Sequence, residues 1–181
     1  MKILLILSLL IAVAGLSACI TSAVYTSRVE AAYPASGQLI DLDGTRVHVL
    51  VDGASGPPVL MIHGASANAR EFTQTLAPRL SDRHRVFMVD RPGHGHTARP
   101  VAGHTLAVQA DLAAKALEAL APGERAVVVG HSFGGAVALR LALDHPENVK
   151  GLVLLAPVSH DWGGGGQAWY NRYAAMPVVG S

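Results

Sequence analysis

The chain has 181 residues, of which 50% are hydrophobic and 15% charged, and its net charge is +1. This length is enough for one domain with a sizeable core. A balanced charge gives no basic surface of the kind that nucleic-acid binding requires. The single cysteine excludes an intrachain disulfide framework, and no cysteine pair or histidine spacing indicates a zinc site. We therefore expect no metal, no other cofactor and no nucleic-acid partner.

The N-terminal 25 residues have the layout of an export signal. Lys2 precedes a stretch, from residue 3 to residue 27, that has no charged residue. A positive start followed by roughly 7–15 apolar residues is typical of a secretory signal. Residues 16–19, Leu-Ser-Ala-Cys, resemble the lipobox of bacterial lipoproteins. That resemblance implies cleavage before Cys19 and acylation of its thiol.

An uncleaved signal anchor is the alternative. Residues 3–24 are about as long as the ~20 residues that cross a hydrocarbon core. A buried core helix is disfavoured because the segment has no charged face. Both membrane interpretations place the following domain outside the cytoplasm, on the periplasmic side of the inner membrane or at the outer membrane. Residues 26–37 are polar and contain Pro34 and Gly37, so we expect a tether there.

The predicted strands begin with a hairpin and continue as buried runs. Residues 38–42 and 46–51 flank Asp43-Gly44, a dipeptide typical of a two-residue hairpin turn. Four short, continuously apolar runs then follow Pro57-Pro58. Continuous rather than alternating runs indicate strands that are buried on both faces, as in a parallel sheet. These runs are residues 59–62, 86–89, 126–129 and 152–155.

Helical patterns separate these runs. The first helix is predicted to begin at Asn68, with Glu71 in the position of a capping box, and to continue to about Leu80. The second covers residues 105–120 and the third residues 133–145. Alternating strands and helices predict an α/β doubly wound sheet with right-handed crossovers. Ligands bind such sheets at the carboxyl ends of the strands.

Residues 130–135, Gly-His-Ser-Phe-Gly-Gly, follow a predicted buried strand and open a helix. A serine on such a sharp turn has strained backbone angles, and small neighbours let the turn close. Gly130 and Gly134 provide this space. The N-terminus of the helix directs free N–H groups and partial positive charge towards the serine. Ser132 is therefore the candidate nucleophile, and the alternative is a glycine-rich turn with an incidental serine.

Three motifs in chain order resemble the α/β-hydrolase superfamily, over about residues 38–160. Residues 61–65, Met-Ile-His-Gly-Ala, are similar to its oxyanion loop, and residues 90–95, Asp-Arg-Pro-Gly-His-Gly, to the loop after its fourth strand. The elbow at residues 130–134 is the third motif. The resemblance implies a partial α/β-hydrolase fold with six strands. It also implies a serine hydrolase that cleaves a carboxylic ester or related acyl bond of a small molecule.

The resemblance also implies site residues. In this family two backbone N–H groups form the oxyanion hole, and they correspond to those of Ala65 and Phe133. Further residues are expected to shape the two loops: His63, Gly64, Gly130, His131 and Gly134.

The remaining titratable residues of the motifs are expected to be structural. His94 and His96 lie in the loop at residues 90–96, and Asp90 is expected to brace that loop through local N–H groups or Arg91. None of the histidines in these motifs is expected to be the catalytic base.

The triad acid and histidine are not identified. The family order is serine, then acid, then histidine. Asp161 follows the sixth strand but lies several residues past its end, and His160 precedes it, against that order. We therefore expect a fragment or shortened reading frame that is inactive alone. Residues 161–181 would begin a cap over an apolar pocket or form an ordinary surface helix.

Three functions remain open at this point. The first is the serine hydrolase, since dehalogenases and epoxide hydrolases of the family carry aspartate at the nucleophile position. The second is a non-catalytic, membrane-tethered domain that keeps the elbow as a scaffold. The third is a cofactor-free peroxidase or an acyltransferase, which share the serine.

Overall fold

The protein is described by a computed structural model that covers residues 2–159. The first element is helix α1 (Lys2–Ala32), in which no residue is buried. It is long and apolar enough to cross a membrane, and a signal sequence near an N-terminus has the same character. The compact core begins after this helix, at Ala35.

Helix α1 is longer than the sequence pattern predicted. The predicted tether at residues 26–37 is helical up to Ala32, and its role as a tether stays a prediction. Alanine, arginine and glutamate in this stretch are good helix formers, and polarity alone does not end a helix. The helical hydrogen bonds continue to Tyr33 N–H, which donates to Val29 O at 2.8 Å. Pro34 then disfavours the helical conformation in the residue before it.

The core contains one six-stranded sheet, in the order β1-β2-β4-β3-β5-β6. Its first two strands are antiparallel and are joined through Asp43 and Gly44, whose φ angles of 53° and 81° fit the predicted hairpin turn. β2 is antiparallel to β4, whereas β4, β3, β5 and β6 are mutually parallel. The four apolar runs are thus confirmed as strands. The bounds are β1 (Gln38–Leu42), β2 (Thr45–Asp52), β3 (Pro58–Ile62), β4 (Arg85–Val89), β5 (Ala126–His131) and β6 (Val149–Leu155).

Two of the three predicted helices are confirmed, as α3 (Leu106–Leu120) and α4 (Phe133–Asp144). The hydroxyl of Thr105 caps α3 by accepting from the N–H of Val108. The predicted helix between β3 and β4 is broken instead into a 3₁₀ turn (Ala69–Phe72) and the short helix α2 (Ala77–Leu80).

Proline explains this break. Pro78 has no N–H to donate, and its ring would clash with the carbonyl four residues earlier in a continuous helix. The hydroxyl of Thr73 also donates to Arg70 O at 2.9 Å, within the turn. Asn68 does cap the turn, as predicted, by accepting from the N–H of Arg70 at 3.0 Å.

The two faces of the sheet are buried under different elements. Leu60 and Ile62 of β3 point to the face covered by α3 and α4, which carries the larger apolar cluster. Val59 and Met61 point to the opposite face, where they pack with Phe72 of the 3₁₀ turn. This alternation explains why β3 is buried along its whole length.

The sheet has a switch point between β3 and β5. From β3 the chain crosses to β4 on one side, and from β4 it crosses back to β5 on the other. Ligands of doubly wound sheets bind in the crevice that opens outside the carboxyl ends of such a strand pair. Here that crevice is formed by the residues after Ile62 and after His131.

Candidate active site

Ser132 lies between β5 and α4 in a strained conformation. Its φ of 51° and ψ of −116° are rare for a residue with a Cβ atom. The end of β6 and the loop after it hold Ser132 in place, because Ser132 N–H donates to Leu155 O and Ser132 O accepts from Val158 N–H, both at 2.9 Å. Strain of this kind persists only where the surrounding structure fixes it, and it concentrates at functional sites.

The glycines of the elbow leave no space for a side chain. A Cβ atom on Gly134 would lie 2.2 Å from the carbonyl oxygen of Ile62. One on Gly130 would lie 2.5 Å from the carbonyl oxygen of Gly134. The turn therefore closes against β3 and against its own helix.

The loop after β3 lies directly beside the elbow. A Cβ atom on Gly64 would be 3.4 Å from the Cβ of Ser132 and 3.2 Å from Nδ1 of His131. The next residue, Ala65, and the first residue of α4, Phe133, are the predicted oxyanion donors. Within residues 2–159 the N–H groups of both make no hydrogen bond. The two amides are thus available beside Ser132, and their role stays a prediction.

His63 has both ring nitrogens engaged. Its Nδ1 lies 2.8 Å from Gly64 O, and its Nε2 accepts from the backbone N–H of Arg91 at 3.0 Å. This pair of contacts fixes a neutral ring with the proton on Nδ1. Burial lowers the pKa of His63 to about 4, with a further contribution from the Arg91 charge, against the raising effect of the Gly64 contact. A buried, neutral and fully bonded ring shapes the loop and has no free nitrogen to act as a base.

Arg91 is a buried cation at the base of this loop. Its Nη2 donates to Gly64 O at 2.8 Å and its Nε to His63 O at 3.0 Å. Nη1 donates to the side-chain oxygen of Gln109 at 3.0 Å. Its Cζ lies 4.9 Å from the centre of the Phe133 ring. Burial lowers the pKa of Arg91 to about 10, so the group is still a cation at neutral pH.

Sequence reasoning missed this role of Arg91 and treated it as a partner of Asp90. The contacts that define its role join residues 27 and 28 positions apart. Its position two residues after the end of a buried strand was the available signal.

Glu71 also contributes a contact that the sequence did not predict. Its Oε2 accepts from Gly64 N–H at 3.1 Å, and its Oε1 lies against Nδ1 of His131. The predicted capping box is therefore wrong for this residue, because the carboxylate turns to the loop after β3. Glu71 thereby connects that loop to the elbow.

Asp90 braces the loop that follows β4 through the local N–H of His96, as predicted, and also binds the distant N–H of Ala69. Its Oδ1 accepts from Ala69 N–H at 2.6 Å and its Oδ2 from His96 N–H at 2.9 Å. The alternative partner, Arg91, was wrong, since Oδ2 instead meets Nδ1 of His48 at 2.7 Å.

This buried pair has coupled pKa shifts. Burial alone lowers the pKa of His48, but its contacts with Asp90 and the Ser36 carbonyl outweigh burial and raise it. Burial likewise favours a raised pKa for Asp90, but the contacts with His48 and two backbone N–H groups lower it overall. The pair is therefore held in its charged form.

The remaining predicted site residues have simple placements. Nε2 of His94 lies 2.9 Å from Ala65 O and 3.2 Å from Nη2 of Arg91, which fits its expected structural role. Cys19 is exposed on α1. Asp161 and His160 lie outside the described residues, as does the predicted cap at residues 161–181. In the described part of the chain the Ser132 hydroxyl makes no hydrogen bond, and no cluster of His, Cys, Asp and Glu could hold a metal.

Comparison with known proteins identifies the family. The model of the alpha/beta hydrolase fold family matches residues 57–177. The chain therefore belongs to the alpha/beta hydrolase fold family, and its six-stranded sheet is a partial version of that fold.

Its relatives have several chemistries. The chain is 40% identical over 124 residues to the dihydrolipoyllysine-residue acetyltransferase component of the acetoin cleaving system of Cupriavidus necator, covering 68% of this chain and 33% of that protein. It is 38% identical over 125 residues to 2-hydroxymuconate semialdehyde hydrolase of a Pseudomonas species, covering 67% and 44%. Among solved structures it is similar to an esterase of Exiguobacterium antarcticum, with a TM-score of 0.61, 31% identity, and coverage of 68% and 46%. The chain spans less than half the length of each of these relatives.

Proposed function

We propose that this chain provides the nucleophile and the oxyanion hole of a serine hydrolase that cleaves carboxylic esters or related acyl bonds of small molecules. In this proposal Ser132 forms the acyl-serine, and the N–H groups of Ala65 and Phe133 bind the oxygen that becomes negatively charged. No metal or cofactor takes part.

The observation that carries this proposal is the strained Ser132 beside two free N–H groups. Backbone donors are suited to an oxyanion because they are fixed before the reaction and need no rearrangement during it. Each such donor typically contributes about 3 kcal/mol to lowering the barrier. The similarity to an esterase of the same fold supports ester-type bonds as one chemistry of the family.

Ester turnover tests the proposal. Purified full-length chain is assayed with p-nitrophenyl acetate beside Ser132→Ala and Ser55→Ala, the second being an exposed serine in the loop between β2 and β3. Any ester turnover is expected to depend on Ser132, so that it is lost in Ser132→Ala and kept in Ser55→Ala. Equal turnover in all three folded proteins would exclude Ser132 as the nucleophile.

A second candidate is a non-catalytic domain that keeps the elbow as a scaffold. It is supported by the Ser132 hydroxyl, which makes no hydrogen bond to a histidine within residues 2–159. A serine without a base is a poor nucleophile. A folded chain that neither turns over the ester nor reacts with a fluorophosphonate probe would favour this candidate.

We further propose that the N-terminus attaches the domain to a membrane, outside the cytoplasm. The exposed apolar helix α1 supports this localisation, either as an uncleaved anchor or as a signal cut before Cys19. Incorporation of labelled palmitate separates the two forms. Incorporation that is lost in Cys19→Ser is expected of a lipoprotein, whereas a full-length, unlabelled membrane protein is expected of an anchor.

A further inference from the structure

The peptide unit between Gly64 and Ala65 carries one of the two proposed oxyanion donors. In a trans peptide the C=O and N–H bonds point in opposite directions within one plane. Gly64 O accepts from Nη2 of Arg91 and lies within hydrogen-bond distance of Nδ1 of His63, both at 2.8 Å. Holding this oxygen towards the protein interior turns the Ala65 N–H away from it. The direction of the donor is therefore set by what binds the Gly64 carbonyl.

The same guanidinium contacts the residue that carries the second donor. Its Cζ lies 4.9 Å from the centre of the Phe133 ring, in a cation–π contact. Phe133 is the first residue of α4. A contact that fixes its ring therefore also restrains the backbone N–H of the same residue. Arg91 is thus in contact with Phe133 and, through Nη2, with Ala65 O at 3.4 Å, so it contacts both residues that carry the proposed donors, although one follows β3 and the other follows β5.

The surroundings of Arg91 are unusual for a buried cation. The side chain is 4% exposed, and its direct hydrogen-bond partners in the described residues are carbonyl and amide oxygens and the His94 ring, with no carboxylate among them. Burying a cation without a carboxylate in contact is unfavourable. A neutral side chain could fill the same space without this penalty. A cation bonded to Gly64 O, however, polarises that peptide and makes its N–H a stronger donor.

We propose that Arg91 is a positioning residue of the oxyanion hole, which aims the Ala65 N–H through the Gly64 carbonyl and fixes Phe133 through its ring. This inference rests on the proposed function of Ser132. Arg91 does not itself touch the substrate. Its loss would leave Ser132 in place and misdirect the donors.

The test compares Arg91→Met and Arg91→Lys with Arg85→Met. Arg85 is the first residue of β4, whereas Arg91 lies two residues after its end, and Arg85 also donates to a backbone carbonyl, Gly56 O, at 2.9 Å. The first measurement is the second-order rate constant with which a fluorophosphonate labels Ser132 in the full-length chain, per folded molecule. We expect Arg91→Met to lower this rate constant roughly 10- to 100-fold, which does not exceed the typical effect of deleting an oxyanion donor. Arg85→Met is expected to stay within about twofold of wild type.

Arg91→Lys keeps the proposal testable if Arg91→Met does not fold. It retains the cation but has no planar fork to reach several carbonyl groups at once. We expect its labelling rate to fall as well, and addition of guanidinium to Arg91→Ala to restore labelling. Wild-type rates in folded Arg91→Lys, or no rescue of folded Arg91→Ala, would overturn the proposal.

A second measurement separates this inference from the proposed function. Backbone amide exchange of residues 63–67 reports loop position without any reaction at Ser132. If wild type is not labelled, the proposed function fails. Faster exchange in Arg91→Lys than in wild type would still support the positioning role, and unchanged exchange would overturn it.

Discussion

Acidification is expected to destabilise the core through His63. This ring is fully buried, and its pKa is lowered from 6.5 to about 4 mainly because burial disfavours the charged form. In the unfolded chain the same ring takes up a proton near pH 6.5. Between these two values the unfolded state binds more protons than the folded state, so stability falls as the pH falls. Above pH 6.5 this contribution is fully present.

The size of the effect follows from the two pKa values. A difference of one pKa unit corresponds to about 1.4 kcal/mol, so the difference between 6.5 and about 4 corresponds to roughly 3 kcal/mol when protonation is complete. Between pH 7 and pH 5, about 2 kcal/mol of this is lost. The full burial of the ring means that solvent does not screen it appreciably.

The assay is urea unfolding of the full-length chain in mild detergent, followed by circular dichroism at pH 7, 6 and 5. His63→Asn is the comparison, because its amide can still donate to Gly64 O but does not titrate. We expect the free energy of unfolding of wild type to fall by about 2 kcal/mol more than that of His63→Asn over this range. Equal losses in the two proteins would show that His63 is not buried as a neutral ring.

Three further predictions concern the elbow and the buried ion pair. Gly134→Ala should lower the free energy of unfolding by more than about 3 kcal/mol, since its Cβ would lie 2.2 Å from a backbone oxygen, whereas the control Gly151→Ala, with no atom within 4 Å, should change little in the same urea titration. Ser132→Gly should raise the free energy of unfolding by about 1 kcal/mol because glycine tolerates a φ of 51°, and a loss would refute strain at this position. The raised pKa of His48 gives stability that is fully present below pH 6.5 and is lost as the pH rises through the folded pKa. The melting temperature should therefore fall as the pH rises through that value, and this fall should be absent in His48→Gln.

Much of the fold follows from local sequence patterns. The four continuous apolar runs became the central strands because strands buried on both faces select apolar residues at every position. The Asp43-Gly44 hairpin and the Thr105 cap were equally local, since each depends on the conformation or hydrogen bonds of a few neighbouring residues. Where local signals conflicted, the prediction failed. The helical period at residues 68–80 continued through Pro78, which the backbone does not accommodate in one helix.

The candidate site divides in the same way. Ser132 and its glycines are one contiguous motif, so the sequence contains the information for the turn. The groups that support the loop after β3 come from elsewhere in the chain. Glu71 binds Gly64 N–H although its spacing from Asn68 indicated a helix cap. Arg91 meets Gly64 across 27 positions, and His48 meets Asp90 across 42. Such pairings depend on strand order, which no single motif specifies.

The central claim is that Ser132 is a nucleophile beside a preformed oxyanion hole. The most direct measurement is mass spectrometry of the full-length chain after treatment with a fluorophosphonate, with every modified peptide assigned. We expect one phosphonyl group on the peptide that contains Ser132, with no such group in Ser132→Ala. A folded wild-type chain without this adduct, or with the adduct on another residue, would contradict the account.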